Sequence, residues 1–257
     1  MTSAGPERVR RAWSIAALAV AVAAVCLLAA WRPWAGGSSP VSAGSAGDAA
    51  LGAAEVRPLS IPADARVLVF GDSWTWGQSA VDRSRGYAYV LGRERGWNIT
   101  VDGVRGSGYL RPGIDGGTYG ERIAALDPAS DPDLVIIQGS INDRREDLKH
   151  LGAAVQDAWD ALSALYPDAS IVVLGPAPHV LPVEQPVSRI DRELAELAAL
   201  RGWNYLSPIA EQWITDRNYR RVIDAGDLHP STAGHAYLAL RLARDLTALS
   251  AADPVEE

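Results

Sequence analysis

The chain has 257 residues, of which 48% are hydrophobic and 21% charged, an ordinary composition for a globular protein. Its net charge is −7 and Lys149 is the sole lysine, so arginine carries nearly all the positive charge. An acidic balance argues against a nucleic-acid partner, because neutralising phosphates takes clustered cations. Cys26 is the one cysteine, which excludes an intramolecular disulfide and a cysteine metal cluster and leaves the fold to rest on its own core.

Residues 1–12 form a basic N-terminus carrying Arg8, Arg10 and Arg11, and an uncharged stretch follows over residues 13–31. At about 1.5 Å per residue that stretch spans roughly 28 Å as a helix, close to the hydrocarbon thickness of a bilayer. The basic flank predicts a cytoplasmic N-terminus with the rest of the chain exported. Trp13, Trp31 and Trp34 stand where interfacial aromatics would. The segment reads as a transmembrane anchor or, with small residues near positions 43–46 offering a cleavage site, as a signal segment. The globular part is then membrane-anchored and extracytoplasmic, or secreted. Residues 32–60, rich in Gly, Ser and Ala, read as a flexible linker, and residues 251–257 as an acidic tail.

Between them, residues 61–250 alternate short apolar runs with helical stretches, and no internal repeat is visible. Runs at 66–70 (RVLVF), 97–101 (WNITV), 134–138 (LVIIQ), 171–175 (IVVLG) and 203–206 (WNYL) predict strands. Their nearly continuous apolar character suits a sheet covered on both faces. Helices are predicted near 87–95, 119–126, 147–166, 188–201 and 231–249. This alternation implies an α/β fold with a parallel sheet and right-handed crossovers, whose ligands sit at the carboxyl ends of the strands.

The chemistry-bearing residues fall at those ends. The first strand runs into Gly71-Asp72-Ser73-Trp74, where the glycine permits a sharp turn and the serine opens a helix with its N–H free to face a substrate oxygen. A helix-capping serine is the plainer alternative. The second strand leads into a glycine-rich loop, in which Gly106 would present an N–H to an oxyanion. That loop lacks the Lys-Ser/Thr ending of a phosphate loop. The third strand ends in Gln138-Gly139-Ser140-Ile141-Asn142-Asp143. Asn142 is a neutral amide donor suited to an oxyanion, although it or Asp143 would equally cap the next helix. Of the four histidines, His150 falls on a polar helix face, His179 follows a strand and would line the cleft, and His235 lies inside the last helix. His229 sits on a loop with carboxylates nearby, and Pro230 after it enforces an extended conformation. No pair has zinc-ligand spacing, so no metal or cofactor is expected.

Taken in order, the Gly-Asp-Ser, glycine, Asn-Asp and His-Pro blocks resemble those of the SGNH (GDSL-type) hydrolases across about residues 66–245. The resemblance implies a three-layer sandwich around a five-stranded parallel sheet of flavodoxin-like order. It also implies a serine esterase in which Ser73 attacks an ester carbonyl, His229 takes its proton, and the Ser73 N–H, Gly106 N–H and Asn142 side chain hold the oxyanion. Two positions depart from the family pattern. Ser140 stands where a glycine is usual, and Gly226 stands three residues before His229 where an aspartate is usual. Asp227 is then the preferred partner of the imidazole, with Asp224 or a main-chain carbonyl as alternatives. Trp74 and Trp76 would wall an acyl or sugar site, or pack beneath the first helix. Exported placement suggests O-acylated envelope glycans, with lipid-like or small esters open. An inactive carbohydrate- or acyl-binding protein and an acyltransferase remain rival readings of the same residues.

Overall fold

The computed structural model describes residue 56 and residues 58–251. The expected anchor or signal segment at 13–31, nearly all of the linker and residues 252–257 of the tail lie outside the described residues. Among those described, no helix is long and apolar enough to cross a membrane.

Strands β1 (Arg66–Gly71), β2 (Asn98–Gly103), β3 (Leu134–Gln138), β4 (Ser170–Leu174) and β5 (Asn204–Leu206) form one parallel sheet in the order β2-β1-β3-β4-β5. The register places Val69 opposite Val101 on one side and Ile136 on the other, and Ile136 opposite Val172. The helices are α1 (Ser73–Trp76), α2 (Tyr87–Arg95), α3 (Tyr119–Ile123), α4 (Leu151–Leu165), α5 (Gln185–Leu200), α6 (Tyr219–Val222) and α7 (Thr232–Ala251).

Because side chains along a strand alternate between faces, the sheet feeds two separate cores. Val67, Val69, Ile136 and Val172 pack with Leu91 of α2 and Leu238 and Leu242 of α7. Leu68, Phe70, Ile137 and Val173 pack with Trp159 of α4 and Leu194 of α5. The α/β/α sandwich expected from the sequence follows directly, since each strand must be apolar on both sides to serve both cores. Here β2 differs from the expectation of a fully buried strand. Among the described residues it pairs only with β1, and Asn98 and Thr100 are exposed. An edge strand has one neighbour and needs less apolar cover. Helix α5 starts three residues earlier than predicted, with a proline in its first turn, where a missing N–H costs nothing.

The chain leaves β1 toward β2 and returns past β1 to β3, so the order reverses at β1. At such a switch point the loops leaving neighbouring strands part and open a crevice at their carboxyl ends.

Candidate active site

Ser73 is separated from the end of β1 by Asp72 alone and is the first residue of α1. Asp72 caps this helix, its carboxylate accepting from the Trp74 N–H at 2.9 Å. Gly71 has to be glycine because of close approach: a Cβ there would stand 2.3 Å from Thr75 Oγ1 and 2.6 Å from the Gln138 carboxamide. The Gln138 amide nitrogen lies 2.9 Å from Thr75 Oγ1 and 3.0 Å from Asp72 Oδ1, so the ends of β1 and β3 are stitched together beneath the serine. Burial pushes the Asp72 carboxyl up to about 6, opposed by its hydrogen bonds to Trp74 and Gln138 and by the nearby His229 and Arg122.

His229 comes from the loop between α6 and α7. The His229 carbonyl accepts from the Asp224 N–H at 2.8 Å, and Leu228, at φ +57°, adopts the left-handed conformation that reverses the chain just before the histidine. The imidazole reaches back to the serine, with His229 Nε2 2.8 Å from Ser73 Oγ. Its other nitrogen, Nδ1, lies 2.7 Å from the main-chain carbonyl of Asp227. A carbonyl only accepts, so the ring proton sits on Nδ1 and the Nε2 lone pair faces the serine hydroxyl.

The Asp227 side chain plays a second part. Its Oδ2 is 3.4 Å from His229 Nδ1, beyond a good hydrogen bond, and accepts from Gln78 Nε2 at 2.8 Å and Ser79 Oγ at 2.5 Å. Burial pushes this carboxyl up, but the hydrogen bonds from Ser79 and Gln78 together with His229 outweigh that and leave it below its usual range. Asp224 faces away, its carboxylate accepting from the Gly226 N–H at 2.8 Å. Of the three partners weighed for His229, the main-chain carbonyl of Asp227 makes the closest contact, with its own carboxylate beside it.

Asn142 opens the short turn after β3, and its Nδ2 donates to the Ser107 carbonyl at 2.9 Å, with Asp72 Oδ2 at 3.4 Å. The amide is thus held in place while one N–H stays loosely engaged. Ser140, where the family pattern has glycine, is fully buried; its hydroxyl accepts from the Asn142 N–H at 3.2 Å and lies 3.3 Å from the Ser107 carbonyl. The extra hydroxyl therefore ties the Asn142 turn to the glycine loop. Gly106, at φ +77°, lines the same cleft as Asn142 and His229, in a conformation side chains rarely adopt.

Two residues that shape this loop were not foreseen as part of the site. Asp143 caps no helix; its buried carboxylate accepts from the Tyr109, Leu110 and Arg111 N–H groups at 2.9, 2.9 and 3.1 Å, and burial outweighs those bonds to raise its pKa. Arg122 of α3 donates to the Gly71 carbonyl, Ser107 Oγ and Asp102, at 2.9, 2.7 and 2.6 Å respectively, joining the ends of β1 and β2 to the loop. Arg122 lies about fifty positions from Gly71 in the chain, so no local pattern could have pointed to it.

The cleft measures 460 Å³ and holds Trp74, Gly106, Asn142, His179 and His229 on its walls. Ser73 is 4% exposed. Trp74 packs in the core and also lines the cleft. Trp76 stands apart from the cleft lining, with the Arg83 and Arg105 guanidiniums 4.5 and 5.0 Å from its ring centre. His179 does line the cleft; burial and the neighbouring Arg144 hold its pKa down. His235 does not, being fully buried in α7. It accepts from the Tyr87 N–H at Nδ1 and donates from Nε2 to the carbonyl of Gln78, the residue whose side chain holds Asp227. His150 is exposed and remote.

The sequence profile of the GDSL-like lipase/acylhydrolase family matches residues 69–237. A GDSL lipase of Mycobacterium tuberculosis is 33% identical over 203 residues, covering 73% of this chain and 84% of that protein. Among solved structures, the aryl esterase of Mycobacterium smegmatis aligns with a TM-score of 0.58 at 19% identity, over 72% of this chain and 99% of its own. A two-domain esterase active on acetylated mannans aligns with a TM-score of 0.59 at 18% identity, over 76% of this chain and 51% of its own. At these identities the structural likenesses speak for the fold alone. Fold, profile and relatives together define the class, and the chain is a carboxylic ester hydrolase. It belongs to the GDSL-like lipase/acylhydrolase family, the SGNH hydrolases.

Proposed function

We propose that the protein hydrolyses acyl esters, acetyl esters among them, through a covalent acyl-Ser73, acting outside the membrane on O-acylated glycans or lipid-like esters. The observation that carries the mechanism is the 2.8 Å contact between Ser73 Oγ and an imidazole nitrogen freed by the 2.7 Å bond from its other nitrogen to a carbonyl. Ser73 Oγ attacks the ester carbonyl as its proton passes to His229 Nε2. The resulting oxyanion is held by the N–H groups of Ser73 and Gly106 and by Asn142 Nδ2. His229 then gives the proton to the departing alcohol, and water, deprotonated by the same imidazole, releases the acid. Asp227 orients the imidazole through its carbonyl and supports its positive charge through its carboxylate.

An acetylated-glycan substrate is supported by the activity named for one structural relative, and Trp74 offers a sugar or short acyl chain an aromatic wall. Location outside the membrane is supported by Arg8, Arg10 and Arg11 ahead of the uncharged stretch at 13–31. The test is hydrolysis of aryl acetate and butyrate by the wild type and by Ser73→Ala. Turnover abolished in a folded Ser73→Ala protein is expected. Turnover that survives the substitution would remove Ser73 from the mechanism.

A further inference from the structure

The lining of the cleft does not match the charge of the molecule. The chain as a whole carries −7, yet Arg111, Arg144 and Arg145 all face the cleft that holds His229, against one lining carboxylate, Asp227. That carboxylate is already taken up by Gln78, Ser79 and the nearby imidazole. Arg144 and Arg145 end the short turn that begins with Asn142, so the segment supplying the amide also supplies two of the cations. Arg111 is the last residue of the loop segment clamped by Asp143, so it too is placed by a rigid backbone.

The acids nearby neutralise the group only in part. Arg111 pairs with Glu146 at 3.3 Å and Arg144 with Glu184 at 3.1 Å, and neither acid lines the cleft. No acid lies within ion-pair distance of Arg145 among the described residues. The three cations also act against one another: after burial, repulsion from Arg145 is the next cause lowering the Arg144 pKa, and Arg111 adds to it. Like charges gathered around a cleft repel each other and are relieved by an anion placed between them. Arg144 is only 15% exposed at its side chain, so its charge is less screened than that of a free surface arginine.

We infer that this rim is a subsite for an anionic group, a carboxylate or a phosphate, on the non-reacting part of the ester that Ser73 cleaves. The inference rests on the esterase reading for the site's chemistry, but the subsite is testable without it. A guanidinium fork matches both anions. An ester so charged would be drawn in from solution and oriented with its carbonyl over Ser73, whereas a neutral ester of the same shape would depend on apolar contacts alone.

The experiment compares 4-acetoxybenzoate with 4-acetoxybenzamide on the full chain, two acetyl esters of similar size differing in charge. The expected kcat/KM ratio favours the anion by about tenfold at low salt, since an exposed ion pair is worth up to about fivefold and more than one rim arginine contributes, and it shrinks as added salt screens those pairs. Arg145→Gln is expected to cut the ratio about fivefold, and Arg145→Lys to keep most of it. Inhibition by benzoate against phenyl phosphate tells carboxylate from phosphate. Calorimetric binding of 4-hydroxybenzoate and 4-hydroxybenzamide to Ser73→Ala tests the subsite independently of turnover. Preferential anion binding with no turnover by the wild type would sink the esterase mechanism and keep the subsite. Serine-dependent turnover with no charge preference, or a preference untouched by Arg145→Gln, overturns the subsite and leaves the esterase standing.

Discussion

Asp227→Asn separates the two ways in which one residue touches the imidazole. The substitution removes the carboxylate charge 3.4 Å from His229 Nδ1 and keeps the main-chain carbonyl at 2.7 Å, together with an oxygen that accepts from Gln78 and Ser79. Coulomb attraction between unit charges at that separation is about 1 kcal/mol in water and about 5 kcal/mol at an effective dielectric of 20. The Asp227 side chain is 45% exposed, which puts the pair toward the watery end, at about 1–2 kcal/mol. That stabilisation applies in the transition state, where the ring is charged, so kcat should fall by about 5- to 30-fold. Where the carboxylate itself fixes the tautomer, losing it costs about ten-thousandfold. The assay is kcat for an aryl acetate, with thermal unfolding of both proteins alongside. A loss near ten-thousandfold in a protein of unchanged melting temperature would mean that the carboxylate, not the carbonyl, orients the ring.

Other outcomes follow from the same geometry. Asn142→Ala should lower kcat by about a hundredfold or more, as expected for one oxyanion donor, with little change in melting temperature; unchanged kcat would exclude that role. His235, held down to about 4 mainly by burial, binds a proton more readily in the unfolded chain, near 6.5. Stability should therefore be lost as pH falls from 6.5 through 4, by up to about 3 kcal/mol, and His235→Gln should flatten that slope in denaturant titrations. Asp72 has the opposite sign. Its carboxyl is raised from 3.8 to about 6, so its contribution is full below 3.8 and lost as pH rises through 6. Asp72→Asn should accordingly gain stability over the wild type with rising pH, and equal differences at pH 4 and pH 8 would contradict the burial argument. Arg122→Met, which strips the bonds to Gly71, Ser107 and Asp102, should cost about 3 kcal/mol of stability and lower activity as well.

The sheet was legible because β1, β3 and β4 each carry an unbroken apolar run, at 67–70, 134–137 and 171–174, a pattern needed where both faces are covered. Candidate residues were legible for a related reason. In a parallel α/β sheet the residues just past the strands share one edge, so Ser73, Gly106 and Asn142 could be grouped from position alone. The spacing of the last block did not reveal how His229 is held. Gly226 replaces the usual acid, and whether Asp227 offers its carboxylate or its carbonyl depends on the path of a loop whose Leu228 is left-handed.

Local apolar patterning and short motifs suffice for the alternation of strands and helices, the order of the four blocks and hence the family. The remaining features emerge from the packing of the layers. That packing sets Trp76 against Arg83 and Arg105, and it makes Asp143 the clamp of the glycine loop in place of a helix cap. It also gathered Arg111 with Arg144 and Arg145 at one rim. Apart from Arg83, which is near Trp76 in the chain, these contacts join segments far apart, and which side chains meet there is set by how the layers pack, a quantity no local spacing encodes.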